Sequence, residues 1–264
     1  MTPDWILIRG LIRESGHWGD FPQDVRAHFP HSRIYLVDIP GNGSHWTEPS
    51  PWTVAEMAES VRRDYLRQRE ADSGRAGQPP GSEPGARIFA SSLGAMVALH
   101  WMAAHPGEIA GAVLTNPSMA GVSRISDRLQ KEGRRVLWRL LRARNGSEKE
   151  AAILDWVSND PQARSRVLPL WARLRGERPV SGRNLVRQLV AATRFRLSSP
   201  QIGGRCLILC GEGDRVVAPR CSTDLQAYLR CDLKTHPTAG HDLCLDAPEW
   251  VLRETAAWVG EASR

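Results

Sequence analysis

The sequence predicts an α/β fold, a mostly parallel open sheet with helices on both faces, interrupted by a helical insertion. Three observations predict it. Short apolar runs alternate with helix-length segments, the runs read as strands buried on both faces, and strand signals vanish between residues 118 and 200. The runs lie at 5–8, 33–37, 87–90, 110–114 and 206–210. Helices are predicted at 21–29, 53–69 and 93–105, each long enough for a crossover between parallel strands. Residues 70–86, rich in Gly, Pro, Ser and Glu, have no periodicity and predict a flexible surface loop. They are not a domain boundary, because a strand resumes directly after them.

Within 118–200, Ile125, Leu129, Val136, Leu137, Leu140 and Leu141 form a helical stripe. Ser147 and Glu150 fit a capping box, and Leu185, Leu189 and Ala192 form a further apolar face. The chain therefore divides into a core made of 1–117 and 201–264 and a helical insertion at 118–200.

Composition excludes several classes. The 264 residues are 41% hydrophobic and 24% charged, which suits a globular chain with a sizeable core. No apolar run approaches the roughly 20 residues of a membrane span, and the first residues lack the basic start and cleavage site of a secretory signal, so a cytoplasmic protein is expected. Cys206, Cys210, Cys221, Cys231 and Cys244 crowd the last quarter without a C-x-x-C pair. That pattern predicts buried thiols, not a disulfide framework or a zinc site. No G-x-G-x-x-G or G-x-x-x-x-G-K motif occurs, so no cofactor and no metal are expected.

The chemistry is carried by three separated positions. Ala90-Ser91-Ser92-Leu93-Gly94 follows a predicted strand and opens a predicted helix, as in a turn that lifts a serine hydroxyl clear of the strand end. Taken alone, Ser92 also fits an ordinary helix N-cap. Downstream, Asp214 lies in a turn just past a strand, and His241 follows Gly240 ahead of the last helix. The order Ser, Asp, His, each beyond a strand at one sheet edge, is the order such a turn requires. Ser92 is then the candidate nucleophile, His241 the base and Asp214 the carboxylate that orients the imidazole. Glu212 is a competing acid two residues earlier, whereas Asp242 and Asp246 read as surface or capping groups. His17, Trp18 and His45 follow the first two strands and are candidates to line an acyl pocket; they fit equally well as surface loop residues, with Trp18 packed against the next helix.

These residues, with Arg9-Gly10-Leu11 after the first strand and 38–43 after the second, resemble the α/β-hydrolase superfamily in its cap-bearing serine esterase-like branch. The resemblance spans nearly the whole chain and makes 118–200 similar to a cap, or lid. It implies an oxyanion hole built from the backbone N–H groups of Leu93 and Leu11. The family more often has His where this chain has Arg9. A serine at the elbow sets aside the dehalogenase and epoxide hydrolase branches, which place Asp there. The implied reaction is hydrolysis of a small-molecule carboxylic acyl ester through an acyl-enzyme. The main alternatives are an acyl thioesterase acting on a carrier- or CoA-bound acyl group, and a non-catalytic relative that binds a partner; amidase, lactonase and carbon-carbon bond hydrolase chemistry share the triad and stay open.

Charge is unevenly distributed. Residues 118–200 hold 18 Lys and Arg against 7 Asp and Glu, and the remainder holds 17 against 22. The densest part is Lys131, Arg134, Arg135, Arg139, Arg142 and Arg144. A solvated helix face is the ordinary explanation of such a run. A docking surface for something anionic, such as an acyl carrier protein, a coenzyme A thioester or an acidic membrane surface, is the functional one. Nucleic acid is not expected, because no recognition motif accompanies the basic residues.

Overall fold

The computed structural model of the chain describes residues 3–73 and 85–261. Six parallel strands form one sheet in the order β2-β1-β3-β4-β5-β6: β1 (Trp5–Ile8), β2 (Ile34–Val37), β3 (Ala86–Ser91), β4 (Ile109–Thr115), β5 (Arg205–Gly211) and β6 (Asp232–His236). Alternate side chains serve opposite faces. Ile6 and Ile8 pack under α2 (Val54–Ser73) and α3 (Leu93–Ala104), while Trp5 and Leu7 meet α1 (Phe21–His28) and α11 (Pro248–Glu261). The expected two-faced α/β sheet is therefore the observed one.

Three strands or α-helices of the core lie outside the sequence expectation, β6, α9 (Arg220–Leu229) and the four-residue α10 (Leu243–Asp246). β6 is an edge strand whose sequence, Asp-Leu-Lys-Thr-His, is mostly exposed and offers no apolar run. Helix α2 continues to Ser73 and takes in the first residues of the stretch expected as a loop, β3 takes in Ala86, and 74–84 lie outside the described residues. Four cysteines are buried and Cys231 is half-buried, all as free thiols.

Between β4 and β5 run five helices: α4 (Ile125–Arg128), α5 (Gly133–Arg142), α6 (Gly146–Val157), α7 (Pro161–Glu177) and α8 (Gly182–Arg194). Their details differ from the sequence expectation in three places. The predicted stripe breaks at Leu129, which with Ile125 is more than half exposed. The side chains of Arg134, Leu137 and Leu141 are outside the described residues. Helix α6 is capped by Asn145, which accepts from the Glu148 N–H at 2.9 Å, so Ser147 and Glu150 make no capping box. Glu150 is instead buried between two arginines, Arg13 at 2.7 Å and Arg175 at 2.5 Å.

The third difference is α8, which buries Asn184, Gln188 and Ala191 and leaves Leu189 exposed. The reason is a polar seam with the core. Gln188 accepts from the Ile12 N–H at 2.9 Å and donates to Asn42 Oδ1 and Ser50 Oγ, and Asn184 accepts from the Ser50 N–H and donates to the Glu48 carbonyl. Buried polar groups so paired hold a helix in one register.

Candidate active site

Ser92, Asp214 and His241 lie beyond the carboxyl ends of β3, β5 and β6, the edge at which open α/β sheets bind ligands. The parallel register aligns Ile8 with Ala90, Ser91 with Thr115 and Gly211 with His236, so the loops that follow these strands meet along one side.

Ser92 stands between β3 and α3 with φ +54° and ψ −116°. A residue with a β-carbon is strained there by roughly 1–3 kcal/mol, and the surroundings must hold it. They do so through close packing. A β-carbon added to Gly94 would stand 2.6 Å from the carbonyl oxygens of Ile8 and Arg9, and one added to Gly10 would stand 3.0 Å from Ser92 Cβ. The small residue two places after Ser92 thus lets α3 enter against the end of β1. Ser92 also donates its N–H to the Thr115 carbonyl at 3.0 Å, and no side-chain cap bond forms at the start of α3. The N-cap explanation of Ser92 therefore does not describe its side chain.

His241 and Asp214 meet directly. Nδ1 lies 2.7 Å from Asp214 Oδ2, and because an ionised carboxylate only accepts, Nδ1 carries the proton. Asp214 Oδ1 accepts from the N–H groups of Val216 and Val217 at 2.7 and 3.0 Å, so its turn locks the carboxylate toward the ring. Burial disfavours the His241 imidazolium, but the charge and hydrogen bond of Asp214, with Asp242 behind, outweigh it and the opposing Arg9, raising the pKa above the usual 6.5. Glu212 is exposed, and among the described residues no hydrogen bond joins it to His241.

Ser92 is joined to this pair by two routes, although no hydrogen bond links its hydroxyl to His241 among the described residues. Asn116 follows Thr115 and donates to the His241 carbonyl at 2.8 Å and the Gly240 carbonyl at 3.1 Å, while its Oδ1 accepts from the Gly211 N–H. Asn116 has φ +47°, and sequence reading gave no signal for it. On the other side, Gly10 lies against Ser92, and its neighbour Arg9 pairs with Asp242 through Nη1–Oδ1 at 3.1 Å and Nη2–Oδ2 at 2.5 Å. Asp242 is therefore a buried ion-pair partner and not the surface group expected. Asp246 is half-buried and caps no helix: it accepts from the Gly240 N–H beside it and from the Asn159 N–H and Ser158 hydroxyl of the insertion, so it too differs from the surface or capping group expected. The N–H groups of Leu93 and Leu11 have no acceptor among the described residues.

The acyl-pocket candidates divide. Trp18 is core, packed on Phe21 and Phe89. His45 turns to Glu48 and Asp64. His17 lines a cavity of about 80 Å³ between the 12–17 stretch and the insertion, with Ile12, Glu14, Glu150, Leu174 and Arg178, and neither Ser92 nor His241 lines it. Burial and the neighbouring Arg13 and Arg9 keep His17 well below the usual imidazole range, so it stays neutral. In the same cavity burial, against the pull of Arg178, pushes Glu14 up to about 7.

Comparisons with known proteins agree with this architecture. Over 253 residues the chain is 24% identical to the pimeloyl-[acyl-carrier protein] methyl ester esterase of Nitrosospira multiformis, a match covering 94% of this chain and 90% of that protein. The protein of the same name from Xylella fastidiosa is 30% identical over 104 residues, 39% of this chain, and the match spans about a third (32%) of that relative's length. Among solved structures, a thermophilic esterase from Thermogutta terrifontis superposes with a TM-score of 0.69 at 16% identity, over 99% of this chain and 90% of that one. An esterase from Rhodococcus gives 0.71 at 17% identity over 98% and 90%. At such identities the structures speak for the fold alone. A family model described as the alpha/beta hydrolase family matches residues 6–254, from the first strand into the last helix. Because that match takes in the sheet and the insertion alike, the chain belongs to the alpha/beta hydrolase family.

Proposed function

We infer that the protein is a serine hydrolase that cleaves a carboxylic ester through an acyl-enzyme. The observation that carries this reading is the buried 2.7 Å contact between His241 and Asp214 at the sheet edge where Ser92 stands in its strained turn. With Nδ1 protonated toward Asp214, His241 Nε2 is the basic nitrogen. It takes the Ser92 proton as Oγ attacks the ester carbonyl, and the N–H groups of Leu93 and Leu11 hold the resulting oxyanion. His241 then gives that proton to the leaving alcohol as the C–O bond breaks. Water attacks the acyl-enzyme, surrenders a proton to His241 and releases the acid with Ser92 restored. Asp214 stays ionised throughout and stabilises the imidazolium. Ser92→Ala is expected to lower kcat on p-nitrophenyl acyl esters by about 10⁴-fold or more. Equal rates in the two proteins would refute the reading.

A second observation favours an ester carried by an acidic protein. The long match to the Nitrosospira relative joins a cluster in which Lys131, Arg135, Arg139, Arg142 and Arg144 are exposed. The helical insertion then acts both as a cap over the site and as the surface on which the carrier docks, steered by charge. Parallel assays of a carrier-bound methyl ester and the free carrier thioester separate esterase from thioesterase action.

A further inference from the structure

We propose that the buried Arg9–Asp242 ion pair is a positioning element for this hydrolysis, fixing the loop that carries the Leu11 amide against the loop that carries His241. The proposal rests on the serine hydrolase reading and adds two residues that act through their neighbours. Arg9 stands one residue before Gly10, which touches Ser92, and Asp242 stands one residue after His241. Two parallel bonds join them, so the pair sets orientation as well as distance. Both side chains are nearly inaccessible, at 5% and 6% exposure, which keeps the pair from fluctuating into solvent.

Each partner is anchored on its far side. The Arg9 guanidinium lies 4.6 Å over the Trp18 ring, which is wedged between Phe21 and Phe89 on the sheet. The Asp242 N–H donates to the Val157 carbonyl at 2.7 Å, tying it to the end of α6. A buried ion pair seldom stabilises a fold more than apolar residues of the same volume. One that bridges two site loops and is braced at both ends is explained by geometry.

The charges also act on His241. Those facing it are Asp214 from the loop after β5, Asp242 beside it and Arg9 from the loop after β1; Arg13 faces Asp242, and Cys244 faces both members of the pair. Asp242 favours the imidazolium and Arg9 opposes it. Removing them singly therefore shifts the imidazole in opposite directions.

The test uses the full chain carrying Arg9→Met, Asp242→Asn, both together, or Arg9→Lys. It reads kcat and KM against pH on a p-nitrophenyl ester, the His241 titration by NMR, and the melting temperature. The surface-proximal pair Arg62–Glu108 supplies Glu108→Gln as a control for stability alone. We expect Asp242→Asn to move the acid limb and the His241 titration down by about 1 pH unit, and Arg9→Met to move both up. The double variant is expected to return the limb toward its original pH with kcat about 10- to 100-fold lower and KM little changed. Arg9→Lys keeps the charge without the fork and is expected to leave the limb in place with kcat reduced. If Arg9→Met does not fold, Arg9→Lys decides, and wild-type kcat in that variant overturns the proposal. Shifts of the same sign, or melting losses like those of Glu108→Gln with kcat and the limb unmoved, also overturn it. Opposite NMR shifts in a wild-type protein that cleaves no ester would show the coupling while refuting the hydrolase reading, and an active wild type without those shifts would refute only the positioning role.

Discussion

At Ser92 the backbone holds φ +54° because the glycines at 10 and 94 let the end of β1 close upon it, and the serine hydroxyl is left without a capping role. His241 is set by its partners in the same way. Its imidazolium is favoured by Asp214 and Asp242 over burial and Arg9, which raises its pKa. In the proposed role of base it must be neutral, so activity is expected to be lost as pH falls through that raised value. The kcat/KM profile is expected to show an acid limb above pH 6.5, checked on a small neutral ester. A profile flat from about pH 5 to 8 with chemistry limiting would remove His241 from the role of base. Ser92, Asp214 and His241 were legible as residue types at strand ends. Asp242 was not, because what defines it is an arginine 233 residues away. Glu150 was misread as a cap for the same reason, since Arg13 and Arg175 lie far from it in sequence.

The elements show how the insertion is coupled to the site. It is fastened to the core at many places, among them the Arg13–Glu150 ion pair and three sets of hydrogen bonds. Helix α8 grips the 42–50 stretch through Asn184 and Gln188, the Gln130 side chain donates to the Asp214 carbonyl at 2.8 Å, and Asn159 donates to the carbonyls of Gly213 and Thr238. The loops bearing Asp214 and His241 are thus braced by the insertion as well as by the sheet. Gln188 bonds Ile12, Asn42 and Ser50, and its removal strands their buried polar groups. Gln188→Ala is expected to destabilise the protein by about 1–3 kcal/mol, measured by urea unfolding. A loss within about 0.5 kcal/mol would show that the seam is not holding α8. Sequence periodicity pointed instead to Leu185 and Leu189, because an apolar stripe is visible locally and a polar seam is visible only with its partner. Strand β6 escaped for a related reason: as a partly exposed edge it needs no apolar alternation.

Across the whole molecule, the excess positive charge and the proposed chemistry occupy different parts of the chain. The excess of basic residues lies in 118–200, and the described ones at Lys131, Arg135, Arg142 and Arg144 face solvent. Reversing Arg135, Arg142 and Arg144 to Glu is expected to raise KM for an acidic carrier-bound ester, more so at low salt, while sparing a p-nitrophenyl ester. Unchanged carrier affinity at low ionic strength would reject the docking surface. The alternation of apolar runs and helices announced the parallel sheet, since strands covered on both faces must be apolar throughout. The insertion's internal packing was less visible because it depends on contacts with loops from the other end of the chain.

The central claim is that Ser92, His241 and Asp214 act as one relay, and the direct measurement is a cycle of kcat on an activated ester for Ser92→Ala, His241→Ala and the two combined. Groups that act as a unit are lost together, so the double variant is expected to fall no further than the single ones. A double variant that loses the product of the two single effects would mean that the serine and the histidine work independently, contradicting the account.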